Sequence, residues 1–512
     1  MIRKSGHAIR FATAVSAAAL LAVTFAPAAG AKTRVTVGVT ETVSSHNPHG
    51  DSIGMGYGIW CQVYGCLGLY NFTTGAYEGM LAESWEVDKN NSNIWTFHLR
   101  KGMKRHHDGR EMTSADVVHS INRMANDPQT RQKHNLRHIK DTVAVDRYTV
   151  RVTTKTPTAP LLEYLFDRVM VTGKDLYDKY GSQQADRKYP WGWGPYKLKQ
   201  LDIGQRIVLE KDSSNRWAKP ENPDELIFRI MREPEQRVTA LLNGEIQIAQ
   251  FVPPHLGPRV EKSPRARIVP ASSVEIMFLA MRPSVKPWGN KLLRQAVCYA
   301  IDRDTIIKTV LQGKAVRLDG PIGPGQYGYN AKNAAAMKYD YDPEKARALV
   351  KKAGLEGVEV ELFTPVGRYV SDKQVAEAMI PMLNAVGFKA RLKTPEWSTL
   401  WAMVQKGKVP FFFMGRGSVV DPSVALSQYF ETGGSPRIGI SDPEIDRLLQ
   451  KERAIFDPEK RKKALNDAFE VITERAAACF LWRHKLLYGV ANNVTYQPLP
   501  TGRVMGVDMV VK

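Results

Sequence analysis

Short alternating strands and Asp-Pro-Glu helix starts succeed one another along the whole chain, and that mixture restricts it to an α/β architecture. VTVGVT (35–40), WTFHLR (95–100), YTVRVTT (148–154), LIFRIM (226–231) and EIMFLAMR (275–282) carry the strand pattern. Asp-Pro-Glu recurs at 342–344, 442–444 and 457–459, each time ahead of a charged amphipathic helix. Asp caps orphan N–H groups, Pro suits the first helical position, and Glu complements the helix dipole. These triplets are shared helix-start chemistry rather than a sequence repeat. Gly354 and Gly387 are natural helix stops.

In the first half, Thr113 and Asp116 form a capping-box-like start to a helix running to about Met124. Residues 190–211, PWGWGPYKLKQLDIGQRIVLEK, make a stiff turn that feeds an alternating strand. Glycine permits positive φ or close backbone approach there, and Pro195 stiffens the exit. PEQRVTALLNGEIQIAQ (234–250) reads as helix, Gly turn and strand.

The first 31 residues stand outside the fold. Arg3, Lys4 and Arg10 precede an apolar run from Ala12 to Ala26, and Ala29-Gly30-Ala31 supplies a small-residue cleavage site. A mature chain beginning near Lys32 is expected, free in the periplasm, since no cysteine follows the cleavage site to carry a lipid. About 480 residues remain, too many for one ordinary core, so two or more lobes are expected. No later run is long enough to span a bilayer. Losing Arg3, Lys4 and Arg10 takes the formal charge from +20 to +17. The basic residues are scattered and no nucleic-acid motif accompanies them, so a basic solvated surface is expected rather than a nucleic-acid partner.

The four cysteines do not make a disulfide scaffold. Cys61 and Cys66 could pair only where their segment is not a continuous helix, because i, i+5 side chains on a helix diverge. Cys298 and Cys479 read as core residues in apolar helical contexts. No Cys-x-x-Cys or His-x-x-x-His spacing points to a metal. His46, His49, His106 and His107 read as loop or turn residues on a solvated surface. No cofactor is expected.

Several segments together resemble the extracytoplasmic solute-binding proteins of the dipeptide/oligopeptide/nickel family (family 5), which serve ABC importers. They are LAESWEV (81–87), HLRKGMKRHHDGREMTSADVVHSINRM (98–124), WGPYKL (193–198) and RVTALLNGEIQIA (237–249). LRQAVCYAIDRDTIIKTVLQGKA (293–315), YDPEKARALVKKAG (341–354) and DPEIDRLLQ (442–450) continue the series in family order. The resemblance implies a periplasmic binding protein-like fold, two lobes with a hinge plus an additional smaller domain. It places the first lobe at 32–72, 193–282 and 489–512, the smaller domain at 73–192 and the second lobe at 283–488. Hinge bending is then expected near 282 and 488.

The same resemblance implies site residues. Arg368, in TPVGRYVSD (364–372), falls where dipeptide binders hold the ligand carboxylate, and a planar guanidinium takes a carboxylate bidentately. In GRGSVVDPS (415–423), Gly415 stands at the family's Trp and Ser418 at its amine-binding Asp, so the usual amine anchor is missing. Arg416 adds positive charge nearby, and Asp421 matches a later acid expected to cap the helix beginning at Pro422. Trp397 and Trp193 are expected as apolar pocket walls.

The resulting expectation is a monomer that captures a peptide or peptide-like polar solute and delivers it to a membrane permease and its ATPase. A non-peptide anion, such as an amino-acid conjugate or a sugar acid derivative, is the alternative. A ligand sensor or chaperone-like binder would share the fold. A periplasmic hydrolase is disfavoured: H-E-x-x-H does not occur, and the G-x-S-x-G match at Gly50-Asp51-Ser52-Ile53-Gly54 follows a polar loop rather than the end of a strand, so it does not read as a nucleophile elbow.

Overall fold

One strand, Ala478–Ala491, ties the two halves of the fold together. In the computed structural model, which describes residues 32–50, 54–130, 133–166, 168–416, 420–434 and 437–512 (134 and 135 by backbone alone), it is buried along most of its length. Its first half pairs antiparallel with Ile276–Met281 and Ala315–Arg317, its second half with Ala266–Ser272 and Ile248–Ala249. A twelve-stranded sheet results. On one side it continues through Phe411–Arg416, Val358–Phe363 and Phe388–Lys393; on the other through Arg34–Val39, Glu225–Ile230, Arg206–Lys211 and Tyr196–Asp202.

The interior strands are continuous apolar runs because both faces are covered. All six residues of Ile276–Met281 are buried, with Met277, Leu279 and Met281 facing one core and Ile276, Phe278 and Ala280 another. Val358–Phe363 and Phe388–Lys393 lie parallel, joined by the helix Asp372–Ala385. Arg34–Val39 runs parallel to both of its neighbours. A separate antiparallel sheet of Ala82–Val87, Ile94–Leu99, Thr149–Thr154 and Ile139–Asp146 lies inside the expected smaller domain. Trp95, Phe97, Val150 and Val152 bury one of its faces in a core shared with Val117, Ile121 and Met124 of the helix Ser114–Asn126.

Local start and stop signals held. Thr113 and Asp116 form the capping box. Asp342, Asp442 and Asp457 each accept hydrogen bonds from the first turn of the helix they open. The strand pairing places the passage between sheet halves at 272–276 and 484–485, earlier than the expected 282 and 488. The reason is that Ile276–Met281 is paired on both edges by second-half strands.

The turn at 190–194 is explained by close packing. A β-carbon at Gly192 would lie 2.3 Å from Tyr64 Cα, and one at Gly194 would lie 2.1 Å from the Gln62 carbonyl oxygen. Backbone bonds from Trp193 to Tyr64 and from Gly194 to Val63 fasten this turn to the end of the helix Gly54–Tyr64. That helix stops before Cys66, at Gly65 with φ +77°. Cys61 and Cys66 therefore approach to 5.4 Å between Cα atoms and are bonded. Cys298 is a buried helical residue as expected; Cys479 is buried too, but on the long strand rather than a helix. Among the described residues no helix is long and apolar enough to cross a membrane. The expected signal segment lies outside the described residues.

Candidate ligand-binding site

The loop after Val358–Phe363 is folded around Asp372, the first residue of the following helix. Its buried carboxylate accepts the backbone N–H groups of Gly367 (3.0 Å), Arg368 (2.9 Å), Tyr369 (3.0 Å) and Lys373 (2.9 Å). Burial pushes this carboxyl up from the usual range, against the pull of those four donors. Gly367 at φ +75° and Ser371 at +55° complete the tight path. A strained loop held by one buried acid delivers Arg368 in a fixed position.

The Arg368 side chain is largely buried between two halves of the chain. Its Nη1 donates to Glu41 Oε1 at 2.5 Å, and Glu41 follows the first strand, Arg34–Val39. The guanidinium lies 5.3 Å from the Tyr369 ring and 5.2 Å from the Trp397 ring. Burial opposes its charge, but Glu41, Tyr369, Glu275 and Asp372 outweigh that and hold the guanidinium above its ordinary range. Among the described residues its buried Nε has no hydrogen-bond partner. A buried donor left in that state is costly, so it suits a position that a ligand oxygen completes.

Trp397 opens the helix Trp397–Gln405, capped by Glu396. Its ring stacks on Trp401 at 5.3 Å and meets Tyr369 edge-on at 6.4 Å. Trp401 in turn covers Arg437, whose guanidinium is 4.3 Å from its ring and whose Nη1 donates to the Tyr429 hydroxyl at 2.5 Å. Arg416 ends the strand Phe411–Arg416, with its guanidinium 5.8 Å from the Tyr429 ring. Burial, with Arg168 and Arg437 nearby, brings its guanidinium down to about 10, despite Tyr429. Arg368, Trp397 and Arg416 are thus linked through Tyr369, Trp401, Arg437 and Tyr429. Ser418 lies outside the described residues.

Trp193 stands elsewhere. It is fully buried in the core of the smaller sheet, donates its indole N–H to the Arg110 carbonyl at 3.3 Å and lies under Arg105. Packing, not a cleft wall, is its role here. Asp421 caps the helix Pro422–Phe430 through the Ser423 N–H, as expected, and also pairs with both Nη atoms of Arg461 (2.6 and 2.8 Å). Two of the four histidines, His49 and His106, depart from the expected solvated surface, whereas His107 is exposed as expected. His49 is buried against the Met170 carbonyl, and His106 is partly buried against Val63 and Gly192, while His107 stacks on Trp191. No group of three metal-ligating side chains occurs among the described residues.

Two acids near Arg368, Glu41 and Glu275, were missed. A signal existed for Glu41: it follows the carboxyl end of a central parallel strand, where α/β sheets bind ligands.

With this geometry in place, comparison with known proteins is decisive. Residues 76–437 match the model for bacterial extracellular solute-binding proteins, family 5. The chain belongs to that family. It is 30% identical over 448 residues to a dipeptide-binding protein of Escherichia coli K12, covering 81% of this chain and 82% of the relative. It is 27% identical over 497 residues to the glutathione-binding protein GsiB of Pectobacterium atrosepticum, covering 94% of each. Among solved structures, the periplasmic binding protein AgaA of A. tumefaciens R10, in complex with agropinic acid, superposes with a TM-score of 0.81. Its identity is 26%, over 94% of this chain and 99% of that one. The fold is that of a periplasmic binding protein. Family 5 members are transport binding proteins, not enzymes, so the hydrolase considered from the sequence falls away.

Proposed function

We propose that this family 5 protein is exported by its first 31 residues, captures a carboxylate-bearing peptide or peptide-like solute in the periplasm as a monomer, and presents it to an ABC permease and ATPase. The observation that carries the reading is Arg368: a largely buried guanidinium, backed by Trp397 and Tyr369, with a buried Nε that no group among the described residues satisfies. Peptide capture is supported by the dipeptide- and glutathione-binding names of its relatives. We assign the first lobe to 32–72, 193–272 and 485–512, the smaller domain to 73–192 and the second lobe to 276–484. On that division Glu41 and Arg368 sit on opposite lobes, so a ligand bridging them favours the closed state. Mass spectrometry of the solute that co-purifies from the periplasm tests the reading. A small carboxylic acid is expected; a neutral sugar would contradict it.

A second reading, a non-peptide anionic solute, is favoured by Arg416. This guanidinium sits beside Tyr429, with Arg437 on the same ring, so positive charge extends beyond Arg368.

A further inference from the structure

We infer that Glu275 holds a protonated amine of the ligand, so that the site takes a solute carrying both a carboxylate and an ammonium group. The inference rests on the carboxylate reading of Arg368 and adds the opposite end of the ligand.

The first support is steric. Glu275 immediately precedes Ile276–Met281, which pairs Met277 with Gly415 and Ile276 with Arg416. A β-carbon built on Gly415 would lie 2.7 Å from Glu275 Oε1 and 2.8 Å from Met277 Sδ. Gly415 has no left-handed φ that would require glycine for conformational reasons. The missing side chain there instead makes room for the Glu275 carboxylate, which lies over the strand. An acid thereby occupies the space that a side chain at 415 would fill.

The second support is chemical. Among the described residues no donor hydrogen-bonds to the Glu275 carboxylate, although its backbone N–H is tied to Ser273 Oγ at 2.8 Å. Its charged neighbours are Arg368, Glu41 and Arg416. Burial raises its pKa from the ordinary value, the nearby arginines offset this in part, and Glu41 adds to it. A carboxylate that is desolvated, without a donor and next to a second acid is stabilised by an arriving ammonium group.

The third support is placement. Tyr369, which stacks against Arg368, also meets the Gly415 backbone amide. Arg368 and Glu275 therefore flank one tyrosine, a separation that suits a compact zwitterion rather than a long anion.

Calorimetry on the full mature chain separates the two ends. The probes are the dipeptide Ala-Leu and glutathione, each free, N-acetylated on its α-amine, and amidated at its C-terminal carboxylate. Wild type should bind the better free probe at least about tenfold more tightly than its acetylated form. Glu275→Gln, nearly isosteric, should lose that preference while still discriminating against the amide. Two results overturn the inference alone: wild type binding free and acetylated forms equally, or Glu275→Gln keeping the wild-type preference for the free amine. Indifference to amidation, or binding of neither free probe, removes the carboxylate reading and this inference with it. The acetylation comparison on wild type needs no variant to fold.

Discussion

Arg368 is positioned by a residue whose carboxylate is spent on backbone N–H groups. The four backbone N–H groups gathered by Asp372 fix the loop, and Tyr369 and Trp397 fix the guanidinium. Replacing Asp372 with Ala strips those buried donors of their acceptor. We expect a loss of about 2–4 kcal/mol in chemical denaturation and weakened ligand binding. Unchanged stability would show that the loop is held some other way. Arg368 and Trp397 were singled out from family-like motifs, since each motif is local, and the fold brings the guanidinium to 5.2 Å from the Trp397 ring. Glu41 was not, because its partner lies 327 residues further along the chain. Trp193 illustrates the converse. Its flanking glycines marked a close approach, but only the packing showed that the approach was to the helix Gly54–Tyr64.

At the scale of elements, the features written in neighbouring residues survived unchanged. The Asp-Pro-Glu helix starts and the Thr113–Asp116 box depend on contacts within one turn, so sequence suffices. The Cys61–Cys66 bond depends on where a helix ends, and a single left-handed glycine decided it. Cross-linking so short a loop restrains the unfolded chain only modestly. Cys66→Ser should therefore lower stability by about 2 kcal/mol in urea unfolding; no change would mean that the bond is absent in the purified protein. The strand Ile276–Met281 was read correctly as a strand but grouped with the wrong half of the sheet. Its apolar pattern is the same on either side of the crossing, and only the pairing with Phe411–Arg416 distinguishes them.

For the whole molecule, buried histidines set an acid limit. Burial holds His484 down at about 4, and burial together with Arg123 holds His49 well below the ordinary 6.5. Unfolded, both accept protons near pH 6.5; folded, they resist protonation, so the unfolded state binds more protons between those values. Stability is full above about pH 6.5 and is lost as pH falls toward 4, with His484 contributing about 3 kcal/mol. His484→Phe should flatten that part of the melting curve, because neither ring nitrogen has a hydrogen-bond partner among the described residues. An equally steep acid loss in the variant would assign it to other groups. We propose the passage at 272–276 and 484–485 as the hinge, so small-angle scattering should show compaction on ligand addition. Identical profiles with and without ligand would contradict closure.

The central claim is that Arg368 receives the ligand's carboxylate. Calorimetric titration of the co-purifying solute into wild type and Arg368→Ala tests it most directly. Removing one partner of a buried charge pair should weaken binding by at least about a hundredfold, with the variant's fold confirmed by its melting curve. Equal affinity in the folded variant would take Arg368 out of the site and leave the account without its anchor.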